Sequence, residues 1–191
     1  MRTPIRLKNF RPRFLPAYAV GAALLWLSGP SPLGFSLGLP LVVVGAALRT
    51  WGAGHLVKTD RLCTEGPYAH LRHPLYAGTL LIGAGFSLFL SGWLGIAILT
   101  LIAIWFTVLY FPRKEKVESI RLERLYGEAY RTYREAVPAL LPRWRAWRPG
   151  GDTGPSERWR GERFLDNNEL GTWIALVAGV ALVAWRAAFL P

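Results

Sequence analysis

The stretch Gly66-Pro67-Tyr68-Ala69-His70-Leu71-Arg72-His73-Pro74-Leu75-Tyr76-Ala77-Gly78 decides how this chain folds. It combines turn-forming residues with two tyrosines, two histidines and an arginine, and it leads directly into an apolar segment, residues 75–90. Polar side chains at the end of a membrane helix are costly, so they are rarely present without a structural or functional role. The stretch therefore predicts a polar site at the end of a membrane-spanning helix.

The apolar residues of the chain are gathered into separate blocks. Hydrophobic residues make up 52% of the 191 residues and charged residues only 18%. Segregation of this kind is typical of membrane proteins, in which a spanning helix needs about 20 apolar residues. Short turns around Pro30 and Gly92 predict two antiparallel hairpins. The blocks cover residues 14–28, 35–51, 75–90, 93–111 and 169–190.

We therefore predict an all-α fold: an integral membrane helical bundle of about five transmembrane helices with an added cytoplasmic amphipathic helix. The chain is short enough to form a single unit over residues 1–191, with the fifth span at 169–190. The amphipathic helix is indicated by apolar residues at helical spacing within residues 112–148, and Pro142 is expected to end it. Its apolar positions are Leu122, Leu125, Tyr126, Ala129, Tyr133 and Val137.

The net charge of +11 raises the possibility of a nucleic-acid partner, but the placement of the charges favours membrane topology. Every lysine and arginine except Arg186 lies in the N-terminal flank, in residues 49–74 or in residues 112–168. The turns at 29–34 and 91–92 carry none. Because basic residues mark the cytoplasmic side, we expect the N-terminus and all large polar segments in the cytoplasm and the C-terminus outside. Membrane lipid is then the expected partner, and nucleic acid is not.

Two polar segments are predicted to meet at this cytoplasmic face. Residues 66–78 precede the third apolar block, and residues 113–133 follow the fourth. Because those blocks form a hairpin, the two segments should be neighbours at the membrane–water boundary. A site there could take a water-soluble cofactor from one side and an apolar substrate from the other.

The residues in these segments resemble the isoprenylcysteine carboxyl methyltransferase and phospholipid methyltransferase group of small membrane enzymes. The first motif is Gly66-Pro67-Tyr68 followed by Arg72-His73-Pro74-x-Tyr76-x-Gly78. The similarity covers residues 45–142. It departs from the group at Ser119, where a second glutamate is usual. The second motif comprises Arg113, Glu118, Leu122, Tyr126-Gly127, Tyr130 and Tyr133.

The resemblance implies transfer of a methyl group from S-adenosylmethionine to a lipophilic small molecule or lipid. The acceptor stays open among a prenylcysteine-type carboxylate, a phospholipid amine and a smaller isoprenoid or thiol. Arg113 and Glu118 are then the expected catalytic residues, and no metal is required. The expected cofactor-binding residues are Tyr68, Arg72, His73, Pro74, Tyr76, Gly78 and Glu118.

Two other functions compete with methyl transfer. Sterol-type membrane reductases, which use NADPH, carry a similar signature, but Leu75 stands where they have asparagine, and Tyr130 lies in the region of their later tryptophan. A non-catalytic membrane scaffold is the other alternative. Ser119 favours it, whereas the retained Arg72 and Glu118 oppose it.

Several further residues have open interpretations. Arg49 either extends to the headgroups or faces a polar cavity. His55 and His70 are expected at the interface, and the absence of paired histidine spacing excludes a metal site. Asn167 or Asn168 could cap the last helix. The tryptophan- and arginine-rich residues 143–163 are interpreted as an interfacial belt, with a lid over the site as the alternative.

Overall fold

The computed structural model describes residues 15–28, 30–57, 61–90, 92–148, 150 and 158–189. The basic N-terminal flank and much of the segment 149–157 lie outside these residues. The described residues form helices and no strand. The helices are α1 (Leu15–Ser28), α2 (Pro32–His55), α3 (Pro74–Phe89), α4 (Gly92–Ile104), α5 (Phe111–Tyr126), α6 (Glu128–Ala136), α7 (Gly161–Asp166) and α8 (Glu169–Phe189). A 3-10 turn, Gly66–Ala69, precedes α3, and a π-helical segment, Trp105–Tyr110, joins α4 to α5.

Helices α2 and α3 pack closely through facing glycines. A Cβ atom added to Gly45 would lie 2.6 Å from the carbonyl oxygen of Gly78, and one added to Gly85 would lie 2.6 Å from the carbonyl oxygen of Gly38. Small residues at helix crossings let two backbones approach in this way in membrane bundles. The glycine contacts therefore fix how α3, and the polar stretch before it, sits against α2.

Consecutive long helices of the bundle run in alternating directions. The turn before α2 meets the end of α3 through a backbone bridge between Pro30 and Leu90. Helix α8 begins beside the C-terminal half of α2, and its other end lies beside α1, where Trp185 stacks on Trp26. The two predicted hairpins and the returning last helix are thus present, and the polar stretch 66–78 lies at the end opposite the Pro30–Leu90 bridge.

Helix α4, the π-helical segment and α5 form one continuous helix of 35 residues, Gly92–Tyr126. The π-helical segment ends directly before Phe111 and Pro112. Proline lacks the N–H that would continue the hydrogen-bond ladder, and a wider turn is a common way to absorb such an interruption. The helix therefore continues out of the apolar block and carries the acidic residues of α5 to the polar stretch.

The amphipathic region is two helices, so the prediction of one helix ended by Pro142 was wrong. Gly127 separates α5 from α6 with φ of +54°, a conformation that side chains disfavour. Helix α6 ends at Ala136, because Val137 is extended and Pro138 follows it. The break turns α6 back, so that both helices face the polar stretch.

Three described helices are long and apolar enough to cross a membrane: Pro32–His55, Gly92–Tyr126 and Glu169–Phe189. At 1.5 Å per residue, the 14 residues of α1 and the 16 residues of α3 reach about 21 and 24 Å, short of a hydrocarbon core of about 30 Å. The described part of the chain is therefore all-α, with helices suited to an integral membrane protein.

Candidate active site

A cavity of about 460 Å³ lies at the polar end of the bundle. Its wall is formed by the residues around the 3-10 turn, by the first turn of α3 and by the facing sides of α5 and α6. The predicted site residues that line it are Tyr68, Arg72, His73, Pro74, Tyr76 and Glu118. The two motifs, far apart in the chain, therefore meet around one space.

The side chain of Arg72 is held from two directions. Its Nη2 lies 2.6 Å from Oε1 of Glu115, and its Nε donates a hydrogen bond of 2.9 Å to the carbonyl of Val137. The side chain is only 10% exposed. Its Nη1 is buried and has no hydrogen-bond partner among the described residues. One donor of a fixed, cavity-lining guanidinium is therefore left for another group.

A segment after α6 holds the backbone of the first motif, and we call residues 138–147 the strap. Carbonyls of the strap accept hydrogen bonds from the N–H groups of residues 72 and 73, and N–H groups of the strap donate to the carbonyls of residues 69 and 70. The motif is thus braced along its length, although it is a loop. The pairs, donor first, are Arg72–Pro138 at 2.9 Å, His73–Ala139 at 3.0 Å, Arg143–His70 at 2.9 Å and Trp147–Ala69 at 2.9 Å.

His73 is a buried, neutral imidazole. Its ring stacks on Tyr76, with 5.5 Å between ring centroids, and meets the edge of Phe111 at 5.3 Å. Burial, together with the positive charge of Arg72, lowers the pKa of His73 to about 4. Its Nδ1 lies 3.5 Å from Oε2 of Glu118, and its Nε2 is buried without a partner among the described residues. A second polar atom beside the cavity is therefore unsatisfied.

Glu118 links the two motifs through its other oxygen. The hydroxyl of Tyr76 donates a hydrogen bond of 2.5 Å to Oε1 of Glu118. The side chain of Glu118 is 42% exposed, so its carboxylate stays accessible from the cavity mouth. The carboxylate can accept further hydrogen bonds from a ligand.

Ser119, the departure from the family pattern, is part of the packing behind the cavity. It is buried and lies 2.8 Å from the hydroxyl of Tyr130. Tyr133, also buried, donates a hydrogen bond of 2.7 Å to the carbonyl of Tyr68. These contacts tie α5 and α6 to each other and to the 3-10 turn, and position 119 contributes no charge.

Glu115 is the site residue that sequence reasoning missed. It lies three residues before Glu118, a spacing that places both carboxylates on one side of α5. Its partner Arg72 was identified, and the i, i+3 spacing of acidic residues was the available signal. Its role depends on the approach of α5 to the first motif, which the sequence does not contain.

Two predicted site residues lie outside the cavity wall. Gly78 packs against α2, where an added Cβ would lie 2.6 Å from Cγ of Arg49 and 2.7 Å from the carbonyl oxygen of Gly45. Its missing side chain therefore serves helix packing. Arg113 is exposed on α5 and does not line the cavity.

Arg49 takes neither of its two predicted roles. Its Nε and Nη2 donate to the two oxygens of Glu169, at 3.0 and 2.5 Å, and its Nη1 donates to the carbonyl of Leu75 and the hydroxyl of Thr79. Glu169 is 2% exposed. This ion pair joins α2, α3 and α8.

Asn167 connects the chain before α8 to the end of α2. Its Nδ2 donates hydrogen bonds of 2.8 and 3.3 Å to the carbonyls of Ala53 and Leu56. Because the side-chain amide of Asn167 donates to these two carbonyls, it braces α2, and a helix cap at Asn168, the other predicted position, stays a prediction. Leu56 lines the cavity, so this contact supports the cavity wall.

The remaining histidines and the cysteine have structural contacts. The interfacial position expected for His55 stays a prediction. Its side chain is buried, packs under Gly66 and has its Nδ1 2.9 Å from the carbonyl of Trp51. Nδ1 of His70 lies 2.9 Å from the carbonyl of Arg143.

Burial raises the pKa of the Cys63 thiol to about 11, so it is protonated and a poor nucleophile at neutral pH. Among the described residues, no group of three histidine, cysteine, aspartate or glutamate side chains could hold a metal ion.

Fold and site together define a class: a helical membrane protein with a polar cavity at one end of its bundle, built from two separated motifs. The chain belongs to the phospholipid methyltransferase family, whose sequence pattern matches residues 33–129. The resemblance inferred from the two motifs is thereby confirmed.

Several known proteins are similar to the chain. It is 30% identical over 119 residues to protein-S-isoprenylcysteine O-methyltransferase B of Arabidopsis thaliana, covering 56% of this chain and 58% of that protein. It is 30% identical over 131 residues to the protein-S-isoprenylcysteine O-methyltransferase of Mus musculus, covering 62% and 42%. The cobalt-zinc-cadmium resistance protein CzcN of Cupriavidus metallidurans is 31% identical over 115 residues, covering 59% and 51%. The chain thus spans about half the length of these relatives. No solved structure gives a significant match.

Proposed function

We propose that this protein transfers a methyl group from S-adenosylmethionine to a lipophilic acceptor at the membrane surface. The observation that carries the proposal is the pair of unsatisfied nitrogens, Nη1 of Arg72 and Nε2 of His73, on residues that line the cavity of a phospholipid methyltransferase family member. Buried polar atoms are normally hydrogen-bonded, and those without protein partners at a cavity wall are suited to a polar ligand.

The residues present fit the chemistry of this cofactor. Arg72 can donate from Nη1 to the cofactor carboxylate, and its two protein contacts fix the direction of that donor. Glu118 can accept hydrogen bonds from the cofactor ammonium or ribose hydroxyls. Tyr68 and Tyr76 offer aromatic surface at the wall, and Pro74 shapes it beside them. When bound, S-adenosylmethionine supplies a methyl group that its positive sulfur has already activated.

The contribution of this chain to the reaction is then binding, orientation and exclusion of water. Because the pKa of His73 is lowered to about 4, its imidazole adds no positive charge at pH 7 to the wall of the cavity that would hold the cofactor. Arg113 is proposed to act at the acceptor side, either by attracting an acidic group from its exposed position or by closing the site. Glu118 is the proposed second catalytic residue, since its carboxylate faces the cavity from α5.

Arginine side chains at the cavity wall suit an acidic acceptor better than an amine, because a guanidinium offers only N–H donors. Arg61, Arg72 and Arg121 line the cavity with one glutamate, Glu118, and Arg61 and Arg72 also pair with Glu65 and Glu115. Leucines of α5 also line it, which suits an apolar chain entering from the membrane. We therefore propose methylation of a lipid-linked carboxylate, and the names of the isoprenylcysteine O-methyltransferase relatives are consistent with this.

We further propose that α1, α2, α3, the continuous helix Gly92–Tyr126 and α8 all span the membrane, with the cavity and the N-terminus on the cytoplasmic side and the C-terminus outside. Support comes from the alternating helix directions and from the absence of lysine and arginine in the turns at 29–34 and 91–92. The short helices α1 and α3 would then require local thinning of the bilayer.

Calorimetry on the purified protein tests the proposed function. S-adenosylmethionine and its demethylated product should bind, and NADPH should not. Membranes incubated with methyl-labelled cofactor should yield a labelled lipid-phase product, and its sensitivity to mild base would identify a methyl ester. Binding of NADPH with no response to either methyl-donor compound would instead favour a reductase.

A further inference from the structure

We propose that residues 141–148 form a docking loop for anionic membrane lipid, with Leu141 and Trp144 inserted at the interface. Trp144 is 97% exposed and Leu141 is 79% exposed. Tryptophan at a membrane–water interface places its apolar ring among the lipids while its N–H stays hydrated. These two side chains project from a short segment that has no regular helix.

The charge of the loop matches an anionic surface. Arg145 and Arg148, which follow Trp144, are both exposed, and the sequence from Val137 to Gly150 contains no acidic residue. A basic segment next to a membrane helix is attracted to anionic headgroups, with no carboxylate here to oppose the attraction.

The backbone contacts of the strap place the loop where a membrane surface would be. The loop is tied through Arg143 and Trp147 to the carbonyls of His70 and Ala69, only a few residues before α3 begins at Pro74. The loop therefore lies close to the end of a bundle helix, at the level where that helix would leave the lipid.

Lipid docking at this loop would also bear on the cavity. The same strap supplies the carbonyls of Pro138 and Ala139 that hold the N–H groups of Arg72 and His73. A loop fixed in the interface would restrain the strap, and the strap would in turn restrain Arg72 and His73, which line the cavity. The docking surface itself does not depend on which reaction the cavity performs.

Fluorescent probes can test the insertion directly. The single-cysteine variants Leu141→Cys and Trp144→Cys, made in a Cys63→Ser background, would carry an environment-sensitive dye in bilayers of phosphatidylcholine with and without phosphatidylglycerol. Glu128→Cys is the matched control, because this side chain is 81% exposed on α6. Brominated acyl chains should quench the dyes at 141 and 144, while iodide should quench only the dye at 128.

The charge requirement is tested by the pair of substitutions Arg145→Gln and Arg148→Gln on the labelled protein. Each arginine near an anionic surface is worth about fivefold in the docking equilibrium, so the pair should abolish the preference for phosphatidylglycerol. Arg124→Gln with Arg134→Gln removes the same charge from exposed positions elsewhere and should leave the preference intact.

Other outcomes would overturn the proposal. Free access of iodide to the dye at 144 in both bilayers would show that the loop stays in water. Protection of the dye from iodide that appears in detergent and disappears on dilution would assign the surface to a second copy of the chain. Equal protection of the dye from iodide in neutral and anionic bilayers would show that the arginines do not select the lipid. Thermal unfolding of each variant shows whether it has kept its fold.

Discussion

The guanidinium of Arg72 and the carboxylate of Glu115 form an ion pair at 2.6 Å that joins the loop before α3 to the helix α5. The pair is largely shielded from solvent, with the two side chains 10% and 21% exposed. It orients the guanidinium beside the cavity, and only Arg72 of the two lines the cavity wall. Glu115 is therefore a positioning residue in the proposed site.

Glu115→Gln should weaken cofactor binding although Glu115 does not line the cavity. Loss of a charged hydrogen bond is worth about 1.5–3 kcal/mol, so Arg72→Ala should reduce affinity about ten- to a hundredfold. Glu115→Gln should reduce affinity by less, because the contact between Arg72 and Val137 remains. Calorimetric titration with S-adenosylmethionine measures both. Glu123→Gln is the control and should bind as the parent does, because this carboxylate of the same helix is partly exposed, pairs with Arg131 and does not line the cavity.

Arg113→Ala should separate binding from turnover. Because Arg113 is exposed and outside the cavity wall, its loss should leave cofactor affinity within about threefold, as for other surface substitutions. Methyl transfer to the acceptor should fall if Arg113 acts at the acceptor side. Lys114→Ala removes a neighbouring exposed charge and should leave turnover unchanged. Identical turnover for the two variants would remove Arg113 from the catalytic assignment.

His73 should make the folded protein less stable in mild acid. Its pKa is lowered from 6.5 to about 4 by burial and by Arg72, so the folded state binds fewer protons than the unfolded state. The stability it contributes is complete above pH 6.5 and is lost as the pH falls towards 4. This difference between the folded and unfolded pKa of His73 corresponds to roughly 3 kcal/mol in the free energy of unfolding.

Unfolding of detergent-solubilised protein between pH 7 and pH 4 checks this, and His73→Asn should reduce the dependence of the unfolding free energy on pH. The same pH dependence in the parent and the variant would assign the acid sensitivity to other groups. Within the neutral range, cofactor binding should show no ionisation near pH 6.5 from His73, because the imidazole stays neutral there.

Glu169→Ala should destabilise the bundle more strongly than loss of an exposed carboxylate. The substitution leaves Arg49 largely buried without its carboxylate partner, which typically costs about 3–5 kcal/mol. Thermal unfolding in detergent measures the loss, and Glu128→Ala on α6 is the exposed control. The paired change Arg49→Met with Glu169→Leu should recover much of the stability, since it removes both charges. A loss as small as that of Glu128→Ala would mean that the ion pair contributes little.

Accessibility labelling of introduced cysteines tests the proposed topology. Cysteines at positions 31 and 91 should react with an impermeant reagent applied outside the cell, and one at position 150 should react only after permeabilisation. The reason is the distribution of basic residues, which marks one side of the membrane as cytoplasmic. Labelling of position 31 from the cytoplasmic side would reverse the orientation.

The sequence by itself determined the class of fold and six of the residues that line the cavity: Tyr68, Arg72, His73, Pro74, Tyr76 and Glu118. Apolar blocks separated by turns require membrane helices, because only helices satisfy the backbone in lipid at these lengths. The motif from Tyr68 to Tyr76 and the later Glu118 were identifiable because their residue types and spacing are local properties of the chain. Their meeting followed from the hairpin between the third and fourth apolar blocks, which needs only a short turn.

Tertiary structure alone decided which side chains pair. The pairing of Arg72 with Glu115 and of Arg49 with Glu169 depends on the rotation and approach of whole helices, which hydropathy and spacing do not specify. The packing of Gly78 against α2, at the place where a side chain would otherwise stand, also depends on this approach of helices. The break at Gly127 was hidden because apolar residues keep helical spacing across it, so only the backbone conformation reveals two helices. Patterns in a chain report which surfaces are buried; the partner of each buried polar atom is set by packing between elements distant in the sequence.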